Sequence, residues 1–155
     1  MNATDQFHVG IVVDDLDAAL AELTALFGYQ WCAQMAVRTP VLLATGETEL
    51  DLRFTYSATT PRVEVIQSRP GTLWIPVSGS HIHHLGYWSD DVAADAAQLI
   101  ERGHVAEATG VRPDGTPVWA YHKSPSGPRI ELVSRQIQPG LEQYWAAGTE
   151  PLPSR

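Results

Sequence analysis

Ser80-His81-Ile82-His83-His84-Leu85-Gly86-Tyr87-Trp88-Ser89-Asp90-Asp91-Val92 reads as a β-strand running into the N-terminus of a helix. A second line of the same kind, His8-Val9-Gly10-Ile11-Val12-Val13-Asp14-Asp15-Leu16, stands near the start of the chain. With His84 set on His8, Gly86 falls on Gly10, Asp90 on Asp14, Asp91 on Asp15 and Val92 on Leu16. Both copies read His-x-Gly-x-x-x-Asp-Asp-apolar. A further pair of lines repeats as well: residues 57–65, ending Arg62-Val63-Glu64-Val65, match residues 124–132, ending Arg129-Ile130-Glu131-Leu132. Self-similarity of this kind means one supersecondary unit used twice. Each copy opens on a histidine strand and closes on a glutamate strand.

In chain order, residues 7–13 alternate as a strand. Asp14 or Asp15 then caps a helix whose apolar stripe is Leu16, Leu20, Leu23 and Phe27, with Gly28 as its stop. Residues 31–37 and 41–44 read as one long strand or as a strand broken at Pro40, and residues 49–56 place Leu50, Leu52, Phe54 and Tyr56 on one face. Residues 62–67 close the unit. Residues 68–80, with Pro70, Gly71, Pro76 and Gly79, form a linker in which Trp74 reads as an anchor. The second unit repeats the order. Its helix is capped by Asp90 or Asp91, points Val92, Ala96, Leu99 and Ile100 inward and stops at Gly103, and a hairpin turn follows at residues 112–116. Leu141 opens a short terminal helix whose Tyr144 and Trp145 pack on the body or on a partner chain, and the proline-rich end frays. The expected fold class is α+β: two tandem βαβββ modules, residues 6–67 and 81–135, in one curled, cleft-bearing mixed sheet, with a segment 136–155 beyond.

A chain of 155 residues with 44% hydrophobic content is one globular domain. A net charge of −8 offers no basic patch for phosphates, so nucleic acid and anionic membrane are excluded as partners. No apolar run reaches spanning length and no secretory leader is recognisable, which makes a cytoplasmic location the expectation. Cys32 is alone, sits in an apolar run and reads as a core thiol.

Strand side chains alternate between faces. Val9, Ile11 and Val13 make an apolar face for the helix, leaving His8, Gly10 and Val12 on the other. By the repeat, His84, Gly86 and Trp88 take the same side, while His81, His83 and Leu85 fall on the helix side or at the strand start. Glu64 and Glu131, set between apolar neighbours, also point away from the helices. Gly10 and Gly86 leave room for a ligand at the backbone. Two buried carboxylates need a compensating cation, and imidazole nitrogen with carboxylate oxygen suits nickel, zinc, cobalt, manganese or iron. Salt bridges from Arg62 and Arg129, which share the parity of the glutamates, are the competing reading.

These residues carry a resemblance. His8 in His-Val-Gly-Ile-Val-Val-Asp-Asp-Leu, Glu64 in Val-Glu-Val-Ile, His84 in His-His-Leu-Gly-Tyr-Trp-Ser-Asp-Asp-Val and Glu131 in Arg-Ile-Glu-Leu-Val are similar to the vicinal oxygen chelate superfamily. That group includes glyoxalase I, methylmalonyl-CoA epimerase, extradiol dioxygenases and the bleomycin and fosfomycin resistance proteins. The resemblance implies one divalent metal held by His8, Glu64, His84 and Glu131. It also implies Lewis-acid stabilisation of an enediolate, with Glu131, or else Glu64, as the base. Trp88, Trp119, Tyr121 and His122 are the candidate lining of the substrate pocket. The loop Ser124-Pro125-Ser126-Gly127-Pro128 departs from the Asp-Pro-Asp-Gly-Asn common there, and no residue matches a glutathione or coenzyme A site.

The leading expectation is a metal-dependent isomerase or lyase acting on a small carbonyl compound. An iron(II) ring-cleaving dioxygenase and a non-catalytic protein that sequesters a drug or metabolite are the alternatives. Relatives commonly dimerise and half-cleft modules leave sheet edges to cover, so a homodimer is expected, with Trp145 as a contact.

Overall fold

A computed structural model describes residues 1–148. The proline-rich end expected to fray lies outside the described residues. The first unit is β1 (Gln6–Val13), α1 (Leu16–Phe27), β2 (Met35–Leu43), β3 (Gly46–Tyr56) and β4 (Arg62–Gln67). The second is β5 (Ile82–Ser89), α2 (Val92–Glu101), β6 (Val105–Val111), β7 (Pro117–Lys123) and β8 (Arg129–Ser134), and α3 (Gln138–Ala146) follows. The chain is α+β with its strands in one mixed sheet, as expected. In each unit the first and last strands pair in parallel, and the others are antiparallel.

The two units meet along two seams. β1 pairs antiparallel with β5, and β2 pairs with β6 through Val41–Gly110, Leu42–Thr109 and Leu43–Ala108. The order β1-β4-β3-β2-β6-β7-β8-β5 therefore closes into a barrel whose interior is the cleft. Both seams lie within one chain. The open sheet edges from which a homodimer was expected are thus already covered. Trp145 is also engaged internally, packing near Phe7, Tyr56 and Trp88 under the Arg62 guanidinium at 4.0 Å.

Pro40 does not break its strand. It sits opposite Glu49 of β3, while the other edge of β2 pairs with β6 only from Val41 to Leu43, so its missing N–H leaves no ladder position empty. Each helix starts as its sequence dictates: Asp15 accepts from the Ala18 N–H and Asp91 from the Ala94 N–H, both at 2.9 Å. Gly28, at φ 72°, ends α1 in the left-handed region. Leu16 and Leu20 bury against Val65 and Trp31 under α1, and Val92 and Leu99 against Ala120 and Leu132 under α2. Each such fully buried side chain contributes about 1.5–3 kcal/mol. Phe27 and Ile100, expected inward, are exposed. Phe27 ends α1 in a turn where Leu26 is exposed too, and Ile100 stands about a quarter turn from the Val92–Leu99 stripe.

Candidate metal centre

The interior of the barrel brings His8 of β1, Glu64 of β4, His84 of β5 and Glu131 of β8 to one point. Registers explain why. His8 lies opposite Gly86 and His84 opposite Gly10 across the β1–β5 seam; Gly10 also pairs with Glu64, and Gly86 with Glu131. The glycines were expected to leave room for a ligand, but each instead holds the other unit's imidazole. A β-carbon built on Gly10 would stand 1.8 Å from His84 Cε1, and one on Gly86 1.9 Å from His8 Cε1.

All four side chains are buried. Their ligand atoms lie within 4.8 Å of one another. His8 Nε2 is 2.9 Å from His84 Nε2, 3.0 Å from Glu131 Oε2 and 3.6 Å from Glu64 Oε2. His84 Nε2 is 3.1 Å from Glu64 Oε2 and 3.4 Å from Glu131 Oε2. The Oε2 atoms of both glutamates have no aligned hydrogen bond despite these short contacts. The donors converge on one centre instead of pairing off. A cation with nitrogen and oxygen ligands at about 2.0–2.2 Å sets its donors roughly 3.0–3.5 Å apart, so this N₂O₂ set fits a divalent metal. Arg62 and Arg129 do not neutralise the glutamates. Arg62 donates to the Ser57 and Ala58 carbonyls, and Arg129 pairs with Glu107.

Electrostatics follow from burial. Desolvation opposes charge on His84, but the Glu131 and Glu64 carboxylates beside its Nε2 outweigh this and raise its pKa to about 9. Burial pushes Glu131 up, but the imidazoles of His8 and His84 overcome it and hold the carboxyl well below the usual carboxylate range. Tyr56 and Tyr121 face Glu64 and Glu131 respectively. Burial, then the nearby carboxylates, pushes both phenols far above their ordinary value, so they remain neutral donors.

A cavity of about 370 Å³ opens from Glu64 and Glu131. Its walls include Leu52, Phe54, Tyr56, Trp74, Trp119 and Tyr121, and Ile137 and Leu141 cover it from the C-terminal segment. Trp119 and Tyr121, two of the candidates for a substrate pocket, line this cavity. Gly110 makes room for the Trp119 indole, which a β-carbon would meet at 2.1 Å. Trp88 and His122 are not part of the lining. Trp88 has the interior parity but stacks on Phe7 at 3.8 Å between ring centroids. His122 neighbours Tyr121 on β7 and so takes the opposite, helix-facing side with Ala120. Trp74 is fully buried against Trp119 and Tyr121, an anchor that is also a cavity wall. Phe54 and Tyr56 had the sequence signal, an alternating apolar face on β3, without being recognised as lining.

His83 departs from the expected face. The register between β1 and β5 slips between Gly10–His84 and Ile11–Ile82, so His83 stands in a β-bulge. It is buried, with Nδ1 3.0 Å from His84 Nδ1 and Nε2 2.8 Å from the Leu73 carbonyl oxygen. Burial lowers its pKa to about 4, so its ring is neutral. Cys32 is buried, and burial raises its thiol pKa against the opposing charge of Arg62.

Among the described residues no helix is long and apolar enough to cross a membrane. Comparison of the fold finds a variant of methylmalonyl-CoA epimerase of Streptomyces coelicolor, in complex with 2-nitronate-propionyl-CoA, at TM-score 0.56 and 19% identity; the match covers 84% of this chain and 96% of that one. The Mycobacterium tuberculosis methylmalonyl-CoA epimerase matches at TM-score 0.50 and 18% identity, over 86% of this chain and 92% of that one. A 4-hydroxymandelate synthase variant from Streptomyces coelicolor matches at TM-score 0.53 and 20% identity, over 84% of this chain and 38% of that one. At such identities these likenesses speak for the fold alone. No curated protein matches the sequence. Residues 7–119, most of the chain, match the Glyoxalase/Bleomycin resistance protein/Dioxygenase superfamily. Repeat, barrel and family match agree: the chain belongs to that superfamily, the vicinal oxygen chelate proteins.

Proposed function

We propose that the protein is a metal-dependent isomerase or lyase of the glyoxalase and epimerase type, acting on a small carbonyl compound. The observation that carries this reading is the convergence of four buried nitrogen and oxygen donors, with both glutamate Oε2 atoms lacking a hydrogen bond, beside an apolar cavity. His8, Glu64, His84 and Glu131 hold one divalent ion, of nickel, zinc, cobalt, manganese or iron. When bound, the ion supplies Lewis-acid polarisation of a carbonyl oxygen. Glu131 acts as the base that removes a proton from the carbon beside that carbonyl and returns it, and Glu64 is the alternative for this role. Tyr121 stands beside Glu131 and Tyr56 beside Glu64, with phenols that burial keeps neutral.

Cavity chemistry narrows the substrate. The described walls are mainly aromatic and aliphatic, and their one basic side chain, Arg38, pairs with Glu49 at 2.6 Å on the exposed rim. A compound with an uncharged, apolar body fits such a space. A charged carrier finds no counter-charge inside it. Iron(II) ring cleavage needs open positions on the metal, and the fourth donor crowds that site. Sequestration without catalysis does not call for a metal set.

The test is solvent deuterium uptake. Metal-reconstituted protein should exchange the proton next to the carbonyl in some member of a panel of small apolar ketones and aldehydes, and chelation should stop it. Oxygen uptake with catechols under iron(II), without such exchange, would replace this reading with the dioxygenase. Protein that takes up none of the five metals would leave the sequestering role.

A further inference from the structure

The two copies of the repeat differ in the residue before each histidine. With His84 set on His8, His83 falls on Phe7. Both positions stand in β-bulges of the β1–β5 seam, and a bulge re-aims its side chain. Phe7 meets the His8 ring edge-on, with centroids 4.4 Å apart, and His8 Nδ1 has no hydrogen-bond partner. His83 instead bridges two groups, the Leu73 carbonyl through Nε2 and His84 through Nδ1.

Donor arithmetic sets the proton positions. A carbonyl only accepts, so His83 Nε2 carries a proton. The His83 ring is buried and its two nitrogens meet only that carbonyl and His84, with no carboxylate to hold a second proton. Nδ1 of His83 is therefore a bare acceptor, and the proton between the rings belongs to His84 Nδ1. That leaves His84 Nε2 as the nitrogen facing Glu64 and Glu131. The Leu73 carbonyl is itself fixed. Its turn is closed by the Arg69 N–H donating to the Trp74 carbonyl at 2.8 Å, and the Trp74 ring is buried in the cavity wall.

We propose that His83 is a positioning residue: through the Leu73 carbonyl it fixes the tautomer and ring orientation of His84, presetting Nε2 for a cation, whereas His8 is held by packing. Its purpose rests on the metal reading; its hydrogen bonds do not. The linker between the two units thus reaches the metal centre through one imidazole, at a position where the first unit has only an apolar ring.

The experiment reads nitrogen protonation by NMR in ¹⁵N-labelled, metal-free protein and zinc affinity in two variants. The spectra should show His83 as the Nε2–H tautomer, His84 protonated at Nδ1, and a scalar coupling between the two Nδ1 atoms across their hydrogen bond. His83→Leu should weaken zinc binding by about 10–100-fold, the usual effect of losing a partner that orients a ligand. His83→Gln, whose amide accepts from His84 and donates to Leu73, should keep most of the affinity. A proton on His83 Nδ1, no coupling, or undiminished zinc binding by folded His83→Leu would overturn the proposal. Wild-type protein that takes up no zinc would sink the metal reading, while the metal-free spectra would still decide the relay.

Discussion

The His84 imidazole fills the space that a β-carbon on Gly10 would need, with Cε1 1.8 Å from that position. Gly86 stands in the same relation to His8. Each histidine is therefore seated by a glycine of the other unit, and the centre depends on the β1–β5 seam. Gly10→Ala and Gly86→Ala should each displace one ring. Overpacking of this kind costs about 1–3 kcal/mol, to be measured by urea denaturation, and zinc affinity should fall with it. Wild-type affinity in both variants would mean that the rings seat themselves elsewhere.

The four donors should not be equivalent on substitution. His84→Ala should weaken metal binding and abolish turnover together. Glu131→Gln keeps an oxygen donor and removes a base, so it should retain much of its metal and lose most of its activity. Metal content and deuterium exchange on the same preparations check this. If Glu64→Gln alone produces that pattern, the base is Glu64.

The pH dependence follows from His84. Its pKa of about 9 in the folded, metal-free protein exceeds the value of about 6.5 expected in the unfolded chain. The stabilisation it gives is complete below about pH 6.5 and is lost as pH rises through about 9. A cation competes for the same nitrogen, so metal affinity should keep rising toward about pH 9 instead of levelling near 6.5. Melting temperatures with and without zinc across this window should diverge. Curves that stay parallel above about pH 6.5 would contradict the raised value.

Trp74 joins the linker to the cavity wall. Trp74→Ala removes a fully buried indole and should cost about 3–5 kcal/mol in denaturant unfolding. A loss under about 1 kcal/mol would show that the wall collapses to refill the space.

Much of this centre is legible in the sequence because period-two alternation and the repeat together give the face of His8, Glu64, His84 and Glu131. Alternation assumes an unbroken register, however. The bulges at Phe7 and His83 have no single-residue signature, so His83 reads as helix-facing when it is turned toward His84. Parity also gives a face but not a height along the barrel, which is why Trp88 shares the interior side and yet stacks on Phe7 away from the cavity. Phe27 and Ile100 fail for a related reason: helical periodicity gives their angle, not how far the sheet extends beneath them.

The most direct measurement is anomalous diffraction from crystals grown with zinc or nickel. One peak per chain is expected between His8 Nε2, Glu64, His84 Nε2 and Glu131, about 2.0–2.2 Å from each donor. No peak there, with the histidines and glutamates paired directly as ion pairs, would contradict the metal centre.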